Sequence, residues 1–209
     1  MPEIELTFRG KIPADIEDPG AKLIFYQEYL WAFKESLKTL RRMVRARTPL
    51  GASHRLYHSI TYAMQDLTPK DAFGFLLGPP QFQGKVYARS ETEVSWGIFT
   101  TPYTHVAPHA DQVEFGTKPH FPPIFGPDSI YGWVAHVLPL ALDKFEIAQI
   151  AWRIAIHISK HGTRPRYMFR NARRQFQASR ILERNFSAAT ARARSQVVPI
   201  EELPWWAQF

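Results

Sequence analysis

Between residues 19 and 47, Leu23, Tyr26, Leu30, Phe33, Leu37, Leu40 and Val44 recur at a strict 3-4-3-4 spacing. That period lines seven apolar side chains along one face of an α-helix. At 1.5 Å per residue the helix runs about 40 Å, and Pro49 stops it. Lys34, Lys38, Arg41, Arg42 and Arg45 gather towards its C-terminal turns, where cations suit the helix dipole. A stripe of this length needs an apolar surface to match. A sheet in the same domain supplies one more readily than a coiled-coil partner does.

Strand-patterned runs are expected at 4–8, 59–67, 73–77, 83–89 and 93–100. The runs Lys85-Val86-Tyr87-Ala88-Arg89 and Glu93-Val94-Ser95-Trp96-Gly97-Ile98, joined by Ser90-Glu91-Thr92, read as a hairpin. Helices resume at 129–138 and 143–160. Asp143 with Glu146 forms a capping box there, and Gly162 lies just past the end. A last long helix is expected from about Phe169 to Arg194. The fold class that follows is α+β: a long N-terminal helix packed on an antiparallel β-sheet, with additional C-terminal helices. The chain is expected to form one domain over 1–209, with a helical embellishment at 128–162 and a docking tail at 195–209. The helix around Ile147 to Ile158 is apolar almost all round and is expected to be mostly buried.

With 209 residues, 45% of them apolar and 14% aromatic, there is ample material for a core. Cysteine is absent, so disulfide frameworks and zinc-thiolate sites are excluded. The first residues lack the basic-then-apolar layout of a secretory signal, and no transmembrane helix is expected because no run of 18 apolar residues occurs. The formal charge of +7 is concentrated. Residues 161–194 hold nine arginines against one acid, Glu183, while the rest of the chain is close to neutral. Such a segment calls for an anionic counterpart. Arg166, Arg170, Arg173, Arg180 and Arg184 align at helical spacing without acids four residues away to pair them. Phosphates or an acidic protein face would neutralise them, and no base-reading motif accompanies them.

Two stretches repeat a short pattern, a Gly-Thr pair before a basic residue and a proline: Gly116-Thr117-Lys118-Pro119 and Gly162-Thr163-Arg164-Pro165. The first sits in a segment, 102–128, with six prolines in 27 positions, expected to be an ordered, pinned loop. Gly116 should serve a positive φ or a close backbone approach, and Thr117 should hydrogen-bond the turn. Glu114, a carboxylate among aromatics and prolines, is expected to pair with an arginine, within the subunit or across an interface. His105 and His109 have i, i+4 metal-ligand spacing, but Pro108 argues against a helix there and no acidic third ligand is well placed. His157 and His161 suit a helix C-terminus better than a metal. Asp111 and Glu114 lack a nucleophile or oxyanion donors beside them. No catalytic, cofactor or metal site is therefore expected, and the chain reads as a non-enzyme.

The order of these pieces resembles a known family. A long helix ends at Thr48-Pro49, followed by Leu56-Tyr57-His58-Ser59-Ile60, the hairpin, Glu114-Phe115-Gly116-Thr117 with Lys-Pro-His-Phe-Pro-Pro-Ile, Trp133-Val134, and Gly162-Thr163 leading to Phe169. This is similar to the tail-component family of long-tailed bacteriophages, the tail-completion and head–tail joining proteins of the neck. Ser53-His54 stands where the family usually has Thr-Gly, and Tyr167-Met168-Phe169 replaces its Pro-Phe-Phe. The resemblance implies a structural virion protein without cofactor, assembled in the host cytoplasm and located in the neck or tail. It implies a homo-oligomeric ring of six subunits around the DNA channel. Its partners would be copies of itself, tail terminator or tail-tube proteins, and head connector or adaptor proteins, with non-specific contact to genomic double-stranded DNA and none to a membrane. The candidate assembly residues are Glu114, Phe115, Gly116, Thr117, His120, Pro122, Trp205 and Trp206. Arg166, Arg170, Arg173, Arg180 and Arg184 would face DNA or acidic neighbours. The alternative is a non-specific nucleic-acid-binding protein using that arginine-rich helix.

Overall fold

A computed structural model of the chain describes residues 2–49, 55–89, 110–126, 129–138 and 143–197. The protein is α+β, with a long N-terminal helix, α1 (Pro19–Arg47), packed on a three-stranded antiparallel sheet and further helices after it. The strands are β1 (Glu3–Arg9), β2 (Ile60–Asp66) and β3 (Gln81–Ala88), in the order β1-β3-β2. A short helix, α2 (Arg55–Ser59), leads into β2.

The described residues divide between two compact units. The first draws on Met1–Glu3, Val44–Thr61 and Tyr87–Ala172; the second on Ile4–Met43, Tyr62–Val86 and Arg173–Phe209. In the second unit, alternate residues of β3 are buried, Phe82, Gly84 and Val86 among them, as a strand with one covered face requires. At Gly84 α1 comes close to β3. A Cβ there would meet the side chains of Leu37 and Phe33.

The seven-residue stripe of α1 is only partly the buried one. Tyr26, Phe33, Leu37, Leu40 and Val44 are buried, but Leu23 is 44% exposed. Phe25, Tyr29 and Ala32 are buried in addition. A strict heptad drifts around a straight helix of 3.6 residues per turn, so the early members rotate outward and their neighbours rotate in. The run at 73–77 is not a strand. The Asp71 carboxylate accepts the Phe73 and Phe75 N–H groups, at 2.9 and 2.8 Å, and Gly74 turns the chain at φ 86°. This local capping outcompetes a ladder and leaves Phe73, Phe75 and Leu77 exposed. The expected strand at 93–100 lies outside the described residues.

In the first unit, α4 (Ile130–Val137) is capped by Ser129, and α5 (Lys144–His161) by the expected Asp143–Glu146 capping box, with Gly162 at its C-terminus. Their shared core is Ile124, Val134, Ala151 and Ala155. The expectation that α5 is mostly buried fails: Phe145 is 70% and Trp152 51% exposed. The partner helix α4 has only eight residues and covers a single face, the one carrying the small alanines.

The expected last helix is two helices. α6 (Met168–Ala178) ends in a turn, and α7 (Ile181–Gln196) begins after Arg180, which adopts a left-handed conformation at φ 48°, ψ 36°. Ser179 and Arg180 direct their N–H groups back to the Gln175 and Gln177 carbonyls and close off α6. No described helix is long and apolar enough to cross a membrane.

Candidate functional site

The proline-rich segment contains a helix that its composition hides, α3 (Ala110–Phe115). It carries Glu114 inward, to 2% exposure. Among the described residues of the subunit, the carboxylate meets backbone donors rather than the arginine expected as one of its two possible partners. Its Oε2 accepts the Phe169 N–H at 2.9 Å and its Oε1 accepts the Arg170 N–H at 3.0 Å. These are free donors of the first turn of α6, which every helix start must satisfy, and an anion there also meets the positive end of the helix dipole. The cation that Glu114 needs is thus a helix terminus. The Tyr167 N–H donates to the Glu114 carbonyl and the Arg166 N–H to that of Val113, so α3 and the chain entering α6 are tied at four points.

One residue further on, the two Gly-Thr motifs meet. Thr117 and Thr163 form an isolated antiparallel bridge, with N–H to O=C distances of 3.2 and 3.3 Å. Their hydroxyls lie 3.1 Å apart, and the Thr163 N–H also donates to Thr117 Oγ1 at 3.0 Å. Each glycine makes room for the opposite threonine. A Cβ on Gly116 would collide with the Thr163 carbonyl oxygen, and one on Gly162 with that of Thr117. Both glycines have positive φ, 74° and 70°, conformations that L-residues rarely hold. Gly116 has the expected positive φ, whereas Thr117, expected to hydrogen-bond its own turn, bonds the second motif instead.

Beside this clasp opens a groove of about 770 Å³. Val113, Pro122, Trp133 and Ile158 line it with apolar surface, while His120, Arg164 and Arg166 bring polar and cationic groups. Of the expected assembly residues, Phe115 is 64% exposed. His120 is exposed too, with Nδ1 at 2.9 Å from the Lys118 carbonyl, whereas Pro122 is buried. Trp205 and Trp206 lie outside the described residues. So do His105 and His109; among the described residues no three His, Asp or Glu side chains gather as a metal site.

The arginine stripe is not continuous, because of the break at Arg180. Arg166 precedes α6, Arg170 and Arg173 lie on it, and Arg180 and Arg184 belong to the turn and to α7. All five are exposed. The Arg170 guanidinium lies over the Tyr167 ring at 5.4 Å, and Arg180 approaches Glu183 at 3.8 Å in an exposed pair.

The second unit holds a polar cluster at the end of β2. Tyr26 donates to Asp66 at 2.5 Å, while the Lys70 ammonium donates to both, at 2.7 Å to Asp66 and 2.8 Å to the tyrosine oxygen. Partial burial works to raise the Asp66 pKa, but hydrogen bonds from Lys70, Thr68 and Tyr26 outweigh it and hold the carboxylate below its ordinary range. The bond to Asp66 raises the Lys70 pKa, and desolvation raises that of Tyr26. Neither the amine nor the phenol is primed as a nucleophile at neutral pH, so the cluster acts as a tie between α1 and the end of β2.

The first unit also turns large apolar side chains outward. Phe121, Phe125, Trp133, Phe145 and Trp152 are each at least 43% exposed, and Ile156 is 36% exposed. Phe145, Trp152 and Ile156 share one face of α5 by their spacing, and Phe121 meets Trp152 edge-on at 5.8 Å. No protein-family model, curated protein or solved structure matches the chain. Sequence reasoning missed the pairing of Gly116-Thr117 with Gly162-Thr163 and the outward face of α5. The shared Gly-Thr-basic-Pro pattern was the available signal for the first.

Proposed function

We propose that the protein is a structural component of a phage virion, completing the tail and joining it to the head connector as a homo-oligomeric ring around the DNA channel. The observation that carries this reading is the outward aromatic surface of the first unit. Large exposed apolar side chains that gather on one helix face, as Phe145, Trp152 and Ile156 do beside Phe121, support a protein-binding role for that face. The motif order described above supplies the kind of assembly, and a ring needs a head-to-tail interface that closes by rotation. In this reading the protein is not an enzyme. Its partners are its own copies, tail terminator or tail-tube proteins, and head connector proteins. Mass measurement of the purified chain, alone and mixed with such neck components, tests it. A closed oligomer or a defined complex is the expected result, and a monomer indifferent to every component would refute it.

A second reading is favoured by the exposure of Arg170, Arg173 and Arg174 on α6: non-specific binding of nucleic acid through phosphates. Here duplex affinity should fall steeply and log-linearly with salt. Absence of duplex binding at moderate salt would remove this reading and leave the first.

A further inference from the structure

The groove beside the clasp combines two properties that seldom coincide by accident. Its floor is apolar, with Trp133, Ile158 and Pro122, and its rim is cationic, with Arg164 and Arg166. Among the described residues, neither guanidinium has a hydrogen-bond or ion-pair partner, and both side chains are exposed. The occupant that fits is therefore an extended segment bearing apolar rings and carboxylates, with no positive charge of its own.

The end of the chain has this chemistry. Residues 198–209 read Val-Pro-Ile-Glu-Glu-Leu-Pro-Trp-Trp-Ala-Gln-Phe. Glu201 and Glu202 are its only charged side chains, and Ile200, Leu203, Trp205, Trp206 and Phe209 supply apolar bulk. Acids without lysine or arginine also occur at 1–8, 12–21, 90–117 and 119–143, but the tail sets two adjacent glutamates beside two tryptophans, whereas residues 161–194 hold nine arginines against one acid. Pro199 and Pro204 bias the segment towards extended backbone, which lowers the entropy lost on binding in a groove. Twelve extended residues reach about 40 Å, more than the diameter of a small domain.

We infer that the clasp groove receives residues 198–209 of a second copy of this chain, the two glutamates against Arg164 and Arg166 and the tryptophans on the apolar floor. A groove and a tail are different surfaces. Their engagement between copies is head-to-tail, the kind of contact that propagates from subunit to subunit until it closes. The inference rests on the self-assembling reading above and names the contact that builds it.

The absence of cysteine makes a clean test. Gln112→Cys places one thiol at an exposed groove position, and Ala207→Cys places one in the tail. The two full-length proteins are mixed under mild oxidation and resolved without reductant. A disulfide-linked heterodimer at twice the monomer mass, in greater yield than either protein gives alone, is the expected result. Linkage found only within one chain carrying both cysteines would overturn the second copy as occupant. No linkage in either format would overturn the pairing altogether, and if the chain still forms a closed oligomer the ring reading survives that failure. As an independent readout, Arg164→Glu with Arg166→Glu should weaken self-association at least about tenfold. Adding Glu201→Arg and Glu202→Arg should restore it. Unchanged association in the groove variant, or no recovery in the charge-swapped one, would count against the proposal.

Discussion

The two units of this protein differ in how their cores use aromatic residues, although each leaves some rings exposed, Phe73 and Phe75 in the second, Phe145 and Trp152 in the first. In the core of the second, the rings close on one another. Phe8 stacks on Phe186 at 3.5 Å and lies parallel to Phe82 at 6.0 Å, while Tyr29 stands edge-on to Phe8, Phe25 and Phe186. Each such pair adds about 0.5–1.5 kcal/mol beyond the area it buries. Polar links fasten α7 to α1 around this cluster: Asn185 to Ser36, Thr190 to Tyr29, and Arg192 to Glu28 and over Trp31. In the first unit the buried side chains of the α4–α5 pair are small, and the largest rings face outward. What fixes its geometry is polar and backbone-borne: the Glu114 carboxylate on α6 and the Gly-Thr clasp. The core of one unit is built from rings; around the α4–α5 core of the other, the largest rings lie outside.

The largest expected effect tests the second unit. Phe82 is 1% exposed and touches the rings of Phe8, Tyr26 and Phe33. Phe82→Ala should cost about 3–5 kcal/mol by the usual penalty of an emptied aromatic site, measured as a lower urea midpoint. A loss below about 1 kcal/mol would mean that this core is looser than its packing indicates.

Next comes the clasp. Gly162→Val combines a positive φ with a collision against the Thr117 carbonyl and should cost about 3 kcal/mol. Gly116→Val should fall close to it, since the obstacle there is the Thr163 carbonyl. A double variant losing much less than the sum of the two would show that the glycines belong to one device. Glu114→Ala leaves two N–H groups of α6 without their acceptor and should cost about 2 kcal/mol. Glu114→Gln, which keeps an acceptor, should cost less. Equal losses for the two would show that charge, rather than hydrogen bonding, is what α6 requires.

A smaller effect belongs to Asp66. Its folded pKa lies below the ordinary carboxylate value of about 3.9. Its contribution is therefore complete above that value and is lost as pH falls from about 4 towards the folded pKa. Asp66→Asn should be less stable than the parent at pH 7, and the gap should narrow below pH 4. A gap independent of pH would disprove the tie. The smallest effect on stability is the sharpest test of the contrast: Phe145→Ser with Trp152→Ser should stay within about 0.5 kcal/mol of the parent yet weaken self-association. A large drop in melting temperature would show that these rings serve the fold after all.

Much of this architecture was legible in the residues, for local reasons. Periodicity and Pro49 delimited α1, alternation marked β2 and β3, and Asp143, Glu146 and Gly162 announced the ends of α5 as side-chain and backbone capping chemistry. The failures share a cause, dependence on distant partners. Glu114 could be singled out as a buried carboxylate in need of positive potential, but nothing near it discloses that a helix start 55 residues away supplies it. The kink at Arg180 involves neither glycine nor proline, so no breaker flagged it. Trp152 and Ile156 looked like core because a helix pattern reveals which face is apolar, not how wide its neighbour will be.

The reciprocal fit of Gly116 and Gly162 has a genealogical corollary. Each motif is the mould in which the other is cast, so neither glycine is free to drift by itself. A descendant that acquires a side chain at one position should carry an altered loop at the other, and the two loops should be gained, reshaped or discarded together.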